Sequence, residues 1–144
     1  MATGDAFAID ILDLVLRATA ITGIADNAAS SPETNHNASL HIASPDAGTM
    51  STSEENYTSY ARVVITRSTG MDAAAGTPAS SSPAAAIKFP AGTVADGDTV
   101  THWGLGNPDG GAVIAYFSGT VTPNIATGDG VTPELTTATT VTLA

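Results

Sequence analysis

The sequence predicts a mainly β protein, an antiparallel β-sandwich of jelly-roll type with one helix at its N-terminus. The prediction depends on short stretches rich in β-branched residues, on turn residues at close spacing between them, and on a single amphipathic stretch without Gly or Pro. About six to eight strands follow the helix, which suits a sandwich. No repeat of fixed period is visible, which argues against a solenoid or a propeller.

The N-terminal helix is predicted over residues 5–19. Its apolar residues form one stripe along the helix: Phe7, Ile11, Leu14 and Val15. Leu12 and Leu16 widen this stripe, and Asp13 and Arg17 form an i,i+4 pair on another side. The apolar surface of this helix requires a packing partner. We expect the helix to pack on the sheet of its own chain, with a neighbouring subunit as the alternative.

Two stretches are predicted to be extended loops, a polar one from Ala25 to Asn37 and a small-residue one from Ser68 to Pro83. Strands are predicted between them. Ser39 to Ala43 alternates apolar and polar residues, and Tyr60 to Thr66 is rich in β-branched residues.

The second half is predicted to continue as strands and turns. A hairpin is the clearest feature, because Gly, Asn, Pro and Asp are concentrated between two apolar runs. The predicted segments are the strand Ala84–Pro90, the strand Thr99–Leu105, the turn Gly106–Gly111, the return strand Ala112–Thr120, and the Thr-rich strand Thr136–Leu143.

Length and charge narrow the classes of protein. A chain of 144 residues predicts a single domain over residues 1–144. Four basic and 14 acidic residues give a formal charge of −10, which disfavours nucleic acid and anionic membranes as partners. Without cysteine there is no disulfide framework and no thiolate site. The N-terminus lacks a basic region and carries three Asp residues early, so we expect no signal peptide and synthesis in a cytoplasm.

The histidines and acidic turns do not predict catalysis or a cofactor. A Ser–His–Asp set could be drawn around His36, His41 or His102, but no G-x-S-x-G elbow is present. His41 and His102 lie in predicted strands and are expected at the surface rather than as a metal pair. The Asp-Gly turns at 96–98 and 128–130 are ordinary turn formers without a complete calcium loop. We therefore expect no enzyme, no metal and no cofactor.

Five residues are candidates for structural or interaction roles. Arg62 is expected to pair with a carboxylate, either Glu54 or Glu55, and to pin a loop to the strand that contains Tyr60. Binding of a sugar by this charge is the alternative. Trp103 is expected to anchor the core or an edge of the hairpin, beside His102. The full set of candidates is Glu54, Tyr60, Arg62, His102 and Trp103.

The order of motifs resembles a group of small tailed-bacteriophage virion proteins, described as capsid decoration proteins or as tail-fibre-like proteins. The motifs are the apolar helix "AIDILDLVLRAT", then "SLHIASPD", "EENYTSYARVVI", "AAAIKFP", "VTHWGLGNPDGGAVIAYFSGTVTPNIATGDGV" and "ATTVTL". The matching positions in the second half are Thr101, His102, Trp103, Gly110, Gly111, Gly128 and Asp129. The inserts at 25–37 and 71–83 depart from the pattern of that group.

The resemblance implies a virion component with a β-sandwich body. We expect a capsid decoration, or cement, protein that binds the major capsid protein and copies of itself, as a dimer or trimer, and stabilises capsomer junctions. The extended loops would make these contacts. The alternative is a tail or tail-fibre component, with exposed Tyr57, Tyr60, Trp103 or Tyr116 stacking on sugars of the host surface.

Overall fold

The structure, a computed structural model, describes residues 4–25, 28, 32–45, 49–107 and 115–143. Within these residues one helix precedes eight strands. The elements are α1 (Asp5–Arg17), β1 (Asn35–His41), β2 (Val63–Thr66), β3 (Ala79–Ser81), β4 (Ile87–Lys88), β5 (Thr99–Gly106), β6 (Ala115–Ala126), β7 (Glu134–Leu135) and β8 (Val141–Leu143). The predicted class is confirmed: the protein is mainly β with antiparallel sheets and one N-terminal helix.

The chain divides into two compact units, each built from segments that are distant in sequence. Unit 1 comprises Met1–Thr34, Ile65–Ala86 and Thr136–Ala144, and unit 2 comprises Asn35–Val64 and Ile87–Leu135. The single domain expected for residues 1–144 stays a prediction.

Helix α1 of unit 1 ends two residues before its predicted end. It has an acidic residue, Asp5, in its first turn and a basic residue, Arg17, in its last turn, as the helix dipole favours. The helix stops at Arg17 because Ala18 adopts a left-handed backbone conformation with φ of 58°. The Thr19 N–H then donates to the Asp13 carbonyl at 3.1 Å and closes the last turn.

The buried face of α1 coincides only in part with the predicted stripe. Ala8, Leu12 and Leu16 are the buried residues of the helix, which contacts β3 and β8. Phe7 remains 44% exposed, and Ile11 is half-buried. Leu12 and Leu16, expected to widen the stripe, are buried, whereas its centre at Phe7 and Ile11 was misplaced. Two apolar rows lie side by side on this helix, and sequence alone does not tell which of them docks.

Residues 68–83 are folded and do not form the extended loop predicted from their small side chains. Strand β3 pairs antiparallel with β8, and isolated bridges join Met71 to Pro83 and Ala75 to Ser80. The buried residues here include Met71, Ala74, Ala79 and Ser81. The prediction was wrong because small residues were interpreted as a sign of an open segment, whereas here they allow close packing.

Unit 2 contains a four-stranded sheet in the order β2-β1-β5-β6, whose edge strand β2 continues into unit 1 along the chain. Strand β1 pairs antiparallel with β5, with Asn37 opposite Gly106 and His41 opposite His102. Six of the seven residues of β1 are buried. Because this strand contains His, Asn and Ser, its buried polar groups require hydrogen-bond partners inside the protein.

The structure describes only parts of two predicted features, the first loop and the hairpin turn. The loop predicted from Ala25 to Asn37 is wrong at its end, because β1 already begins at Asn35; residues 26–27 and 29–31 lie outside the described residues. Most of the predicted hairpin turn, residues 108–111, also lies outside them. The hairpin itself forms, since β5 and β6 pair antiparallel with two irregularities in register.

Candidate functional site

The clearest polar arrangement in unit 2 joins Glu54, Tyr60 and Arg62. The Arg62 guanidinium donates to both carboxylate oxygens of Glu54, from Nε to Oε1 at 2.7 Å and from Nη2 to Oε2 at 2.7 Å. The Tyr60 hydroxyl donates to Glu54 Oε1 at 3.0 Å and accepts from the backbone N–H of Leu40 at 3.0 Å. The predicted carboxylate–Arg62 pair is therefore present, with Glu54 rather than Glu55 as the partner.

The surroundings of Tyr60 and Arg62 keep the phenol protonated and the guanidinium charged. Burial is the main cause that raises the pKa of the Tyr60 hydroxyl, and the nearby Glu54 carboxylate raises it further. The hydrogen bond to Glu54 raises the pKa of Arg62. Glu54 thus sits between a phenol that keeps its proton and a guanidinium that keeps its charge, so the set fastens residues 54–62 to β1.

Glu55 has a separate role that the sequence did not reveal. Its side chain is 2% exposed, and Oε1 accepts from the backbone N–H groups of Asn56 and Tyr57 at 3.0 and 3.2 Å. Tyr57, also 2% exposed, donates its hydroxyl to the Pro90 carbonyl at 2.6 Å. Two adjacent acids therefore fulfil different tasks: one pairs with Arg62, and the other caps the turn that follows.

His41 is completely buried, so the expectation of a surface residue was wrong. Its Nε2 lies 2.7 Å from the Ser39 hydroxyl, and its Nδ1 lies 2.8 Å from the Thr52 carbonyl. Because a carbonyl can only accept, Nδ1 carries the proton and Nε2 accepts from Ser39. Burial lowers the pKa of His41 and favours this neutral form. Alternation failed as a guide because β1 is covered on both faces.

The Ser39–His41 pair does not form a catalytic triad. Both side chains are fully buried, and the group on the far side of the imidazole is a backbone carbonyl rather than a carboxylate. The site also leaves no room for a substrate, since a Cβ on Gly104 would lie 2.8 Å from both His41 Nε2 and Ser39 Oγ. We interpret the pair as a satisfied polar part of the core.

His102 is the cross-strand partner of His41, but the two do not form a metal centre. His102 is half-buried, and its Nδ1 lies 2.8 Å from the Thr101 hydroxyl. Both ring nitrogens of His41 already have partners. Among the described residues no group of three or more His, Asp or Glu side chains is placed to hold a metal ion.

The aromatic residues expected to stack on sugars are mostly inside the protein. Tyr57 and Trp103 are 2% and 7% exposed, and the Trp103 indole lies against Gly119, where an added Cβ would meet Nε1 at 2.8 Å. Tyr60 is half-buried and stacks on Phe89 with ring centroids 6.2 Å apart. Tyr116 is 39% exposed. Of the four aromatic residues proposed for sugar stacking, Tyr116 is the most exposed.

The two acidic turns stabilise one another's backbone. The Thr127 N–H donates to the Asp98 carbonyl at 3.0 Å, and Asp129 forms a bridge with Gly92. The Asp96 carboxylate accepts from the Thr58 hydroxyl and backbone N–H, and these hydrogen bonds lower the pKa of Asp96. These contacts use backbone atoms of Asp98 and Asp129 and the carboxylate of Asp96, and the interpretation of both segments as ordinary turn formers stays a prediction.

A comparison with protein-family models shows the family to which the chain belongs. Residues 2–142 match the model of the family described as "Podophage GP4 fiber I protein gp80". The chain belongs to this family. Since the match covers nearly the whole sequence, the resemblance to small tailed-bacteriophage virion proteins is confirmed. No curated protein sequence matches the chain.

Membership in the podophage fiber I family makes this chain a structural protein of a bacteriophage virion. The described geometry fits that assignment, because the polar side chains of Arg62, Glu55 and Ser39 fasten strands and turns to one another. Among the described helices, none is long and apolar enough to span a membrane. Two positions that carried the resemblance, Gly110 and Gly111, lie outside the described residues.

Proposed function

We propose that this chain is a subunit of a podophage fibre that works by binding other virion proteins and copies of itself. The observation that carries this proposal is the family match over residues 2–142, whose description names a fibre. The low share of charged residues, 12%, supports a protein that is largely covered in its assembly, since charged groups are costly to desolvate.

The proposal assigns no catalytic step to the chain. The buried Ser39–His41 pair has no path to a substrate, and the Glu54 carboxylate is held by Arg62 and Tyr60. A general base must be able to reach the proton that it removes, and neither group can do so while it is fully engaged. The proposed function is therefore structural: the chain acts by binding its neighbours in the fibre.

The net charge of −10 favours a partner with a positively charged surface. Copies of the chain repel one another at long range, and a partner with a basic face is attracted. We propose that the fibre attaches to the particle through such a basic surface. Attachment should then weaken as salt is raised, because exposed charges are screened within about 8 to 10 Å at physiological ionic strength.

A cement role on the capsid, with the major capsid protein as partner, is the alternative that the sequence favoured. The loop that was expected to reach neighbouring subunits, residues 71–83, is folded within unit 1, which removes one argument for that role. The two roles predict different numbers of copies. A fibre follows the symmetry of the tail, with about three to eighteen copies per particle, whereas cement is present in on the order of hundreds.

Quantitative mass spectrometry of purified particles, with the major capsid protein as internal standard, tests the proposal. Few copies per particle, together with normal heat resistance of particles that lack the chain, is the expected result. Copies in the hundreds, with heads that lose DNA on mild heating when the chain is absent, would assign it to the capsid instead. Absence from purified virions would contradict both roles.

A further inference from the structure

Helix α1 carries a second apolar row beside the one that docks within unit 1. Phe7, Ile11 and Leu14 follow one another at intervals of four and three residues, which is the spacing of a two-helix seam. Phe7 is 44% exposed, and Ile11 and Leu14 are half-buried. The docked row of Ala8, Leu12 and Leu16 faces another direction, so the seam is not used up by the packing of the helix in its own unit.

Two opposite charges border this seam on the same flank. Asp10 and Arg17 are seven residues apart, which places them two turns from each other on one side of the row. Asp10 is exposed, and the Arg17 side chain is 31% exposed. The contact of Arg17 Nη1 with Asp13 is long, 3.8 Å, and Nε is buried, so the two terminal nitrogens of the guanidinium are the donors available to a second partner.

The direction of a second helix follows from these charges. When two such helices run antiparallel, the same flanks face each other, so Asp10 of each copy meets Arg17 of the other, and the pair occurs twice. When they run parallel, this flank meets the opposite flank, which carries Ala8 and Val15 and offers no ion pair. Charge complementarity therefore selects the antiparallel arrangement.

We propose that α1 pairs antiparallel with α1 of a second copy of this chain, about a two-fold axis near the middle of the helix, with Ile11 against Leu14. A chain of charge −10 repels its copies over most of its surface, and this flank is where opposite charges meet. The proposal does not depend on the assignment of the chain to a fibre.

The expected contact is small. A helix of 13 residues is about 20 Å long, so the area buried lies well below the roughly 1,600 Å² of a standard interface. We expect a weak dimer of the isolated chain, with a dissociation constant on the order of 100 μM. In a particle, tethering of several copies raises their effective concentration to about millimolar, where such a contact is occupied.

Sedimentation equilibrium of the purified chain from low micromolar to millimolar concentration tests the proposal. Asp10→Lys and Arg17→Glu should each weaken association about tenfold, because each change converts two attractive pairs into two repulsive ones. The double variant restores opposite charges and should regain most of the affinity. Asp72→Lys is the matched control, because it makes the same charge change at an exposed position outside α1.

Thermal melting of each variant at low concentration checks that the fold is intact, and Phe7→Glu serves as a second disruption at an exposed position. The proposal is overturned if the wild-type chain stays monomeric up to millimolar concentration, if Asp10→Lys associates as well as Asp72→Lys, or if the double variant does not recover. A wild-type trimer would also contradict it, since two-fold antiparallel pairing closes at two copies.

The direction of the helices can be tested separately because the chain contains no cysteine. Asp10→Cys and Arg17→Cys variants are mixed and treated with a short bis-maleimide. Antiparallel pairing predicts cross-linked heterodimers of the two variants in preference to homodimers. A preference for homodimers would show parallel pairing and would refute the proposed geometry.

Discussion

Arg67 is the residue whose replacement tests the packing of unit 1 most sharply. Its guanidinium donates to the Val15 carbonyl at 2.7 Å, to the Leu14 carbonyl at 2.6 Å and to the Glu33 carbonyl at 3.1 Å. The last four carbonyls of a helix have no partner within the helix, and Arg67 satisfies two of them in α1. It also places a positive charge at the end of the helix where the dipole is negative.

We expect Arg67→Ala to lower the free energy of unfolding by about 3 kcal/mol, since three charge-assisted hydrogen bonds are lost and part of the loss is recovered by water at this half-buried site. Arg67→Lys should cost about half as much, because it keeps the charge but cannot reach three carbonyls at once. For a chain of this size, the Ala variant should melt about 10 °C lower.

Thermal unfolding followed by circular dichroism, at concentrations where the chain is monomeric, measures this effect. Arg17→Ala is the control, because it removes the same charge at the same end of the helix but loses only the 3.8 Å contact with Asp13. Its expected cost is about 0.5 kcal/mol or less. Equal melting temperatures for the two Ala variants would refute the idea that Arg67 fastens the helix end.

Three further changes test other parts of the account. Burial lowers the pKa of His41, so the unfolded chain binds a proton at a higher pH than the folded chain does. Urea titrations should therefore show the free energy of unfolding falling as pH drops from about 7.5 to about 5.5, and a His41→Gln variant whose stability falls equally with pH would contradict this. Gly104→Ala should lower the free energy of unfolding by about 2 kcal/mol or more in the same titration, since its Cβ would lie 2.8 Å from the Ser39–His41 pair. Gly4→Ala is the control and should change it by no more than about 0.5 kcal/mol, because the space around Gly4 is open; similar losses for both variants would show that the pair can shift aside. Deleting residues 71–83 should unfold unit 1, because this segment contains β3 and buried Met71; a deletion variant with an unchanged helical signal by circular dichroism would show the segment to be dispensable.

The sequence was a good guide wherever local pattern decides structure. The helix, the hairpin of β5 and β6, and the pairing of Arg62 with a nearby carboxylate all depend on residues close together in the chain, and each is present. The sequence could not tell whether Glu54 or Glu55 pairs with Arg62, because the directions of two adjacent side chains depend on the backbone conformation.

The features that were missed depend on residues far apart in sequence. The pairing of β3 with β8 joins segments about sixty residues apart, and nothing local in the small-residue stretch at 68–83 indicates it. The burial of His41 follows from a strand covered on both faces, where alternation carries no information. The docked row of α1 was misassigned for a related reason, since the helix carries more apolar surface than its own unit covers.

A reconstruction of the intact virion at side-chain resolution is the most direct test of the central claim that this chain is a fibre subunit. We predict density for α1 and the β2-β1-β5-β6 sheet in a fibre attached to the tail, with the Glu54–Arg62 pair inside each copy. Density for the same fold on the outer face of the head, at the junctions between capsomers, would contradict it.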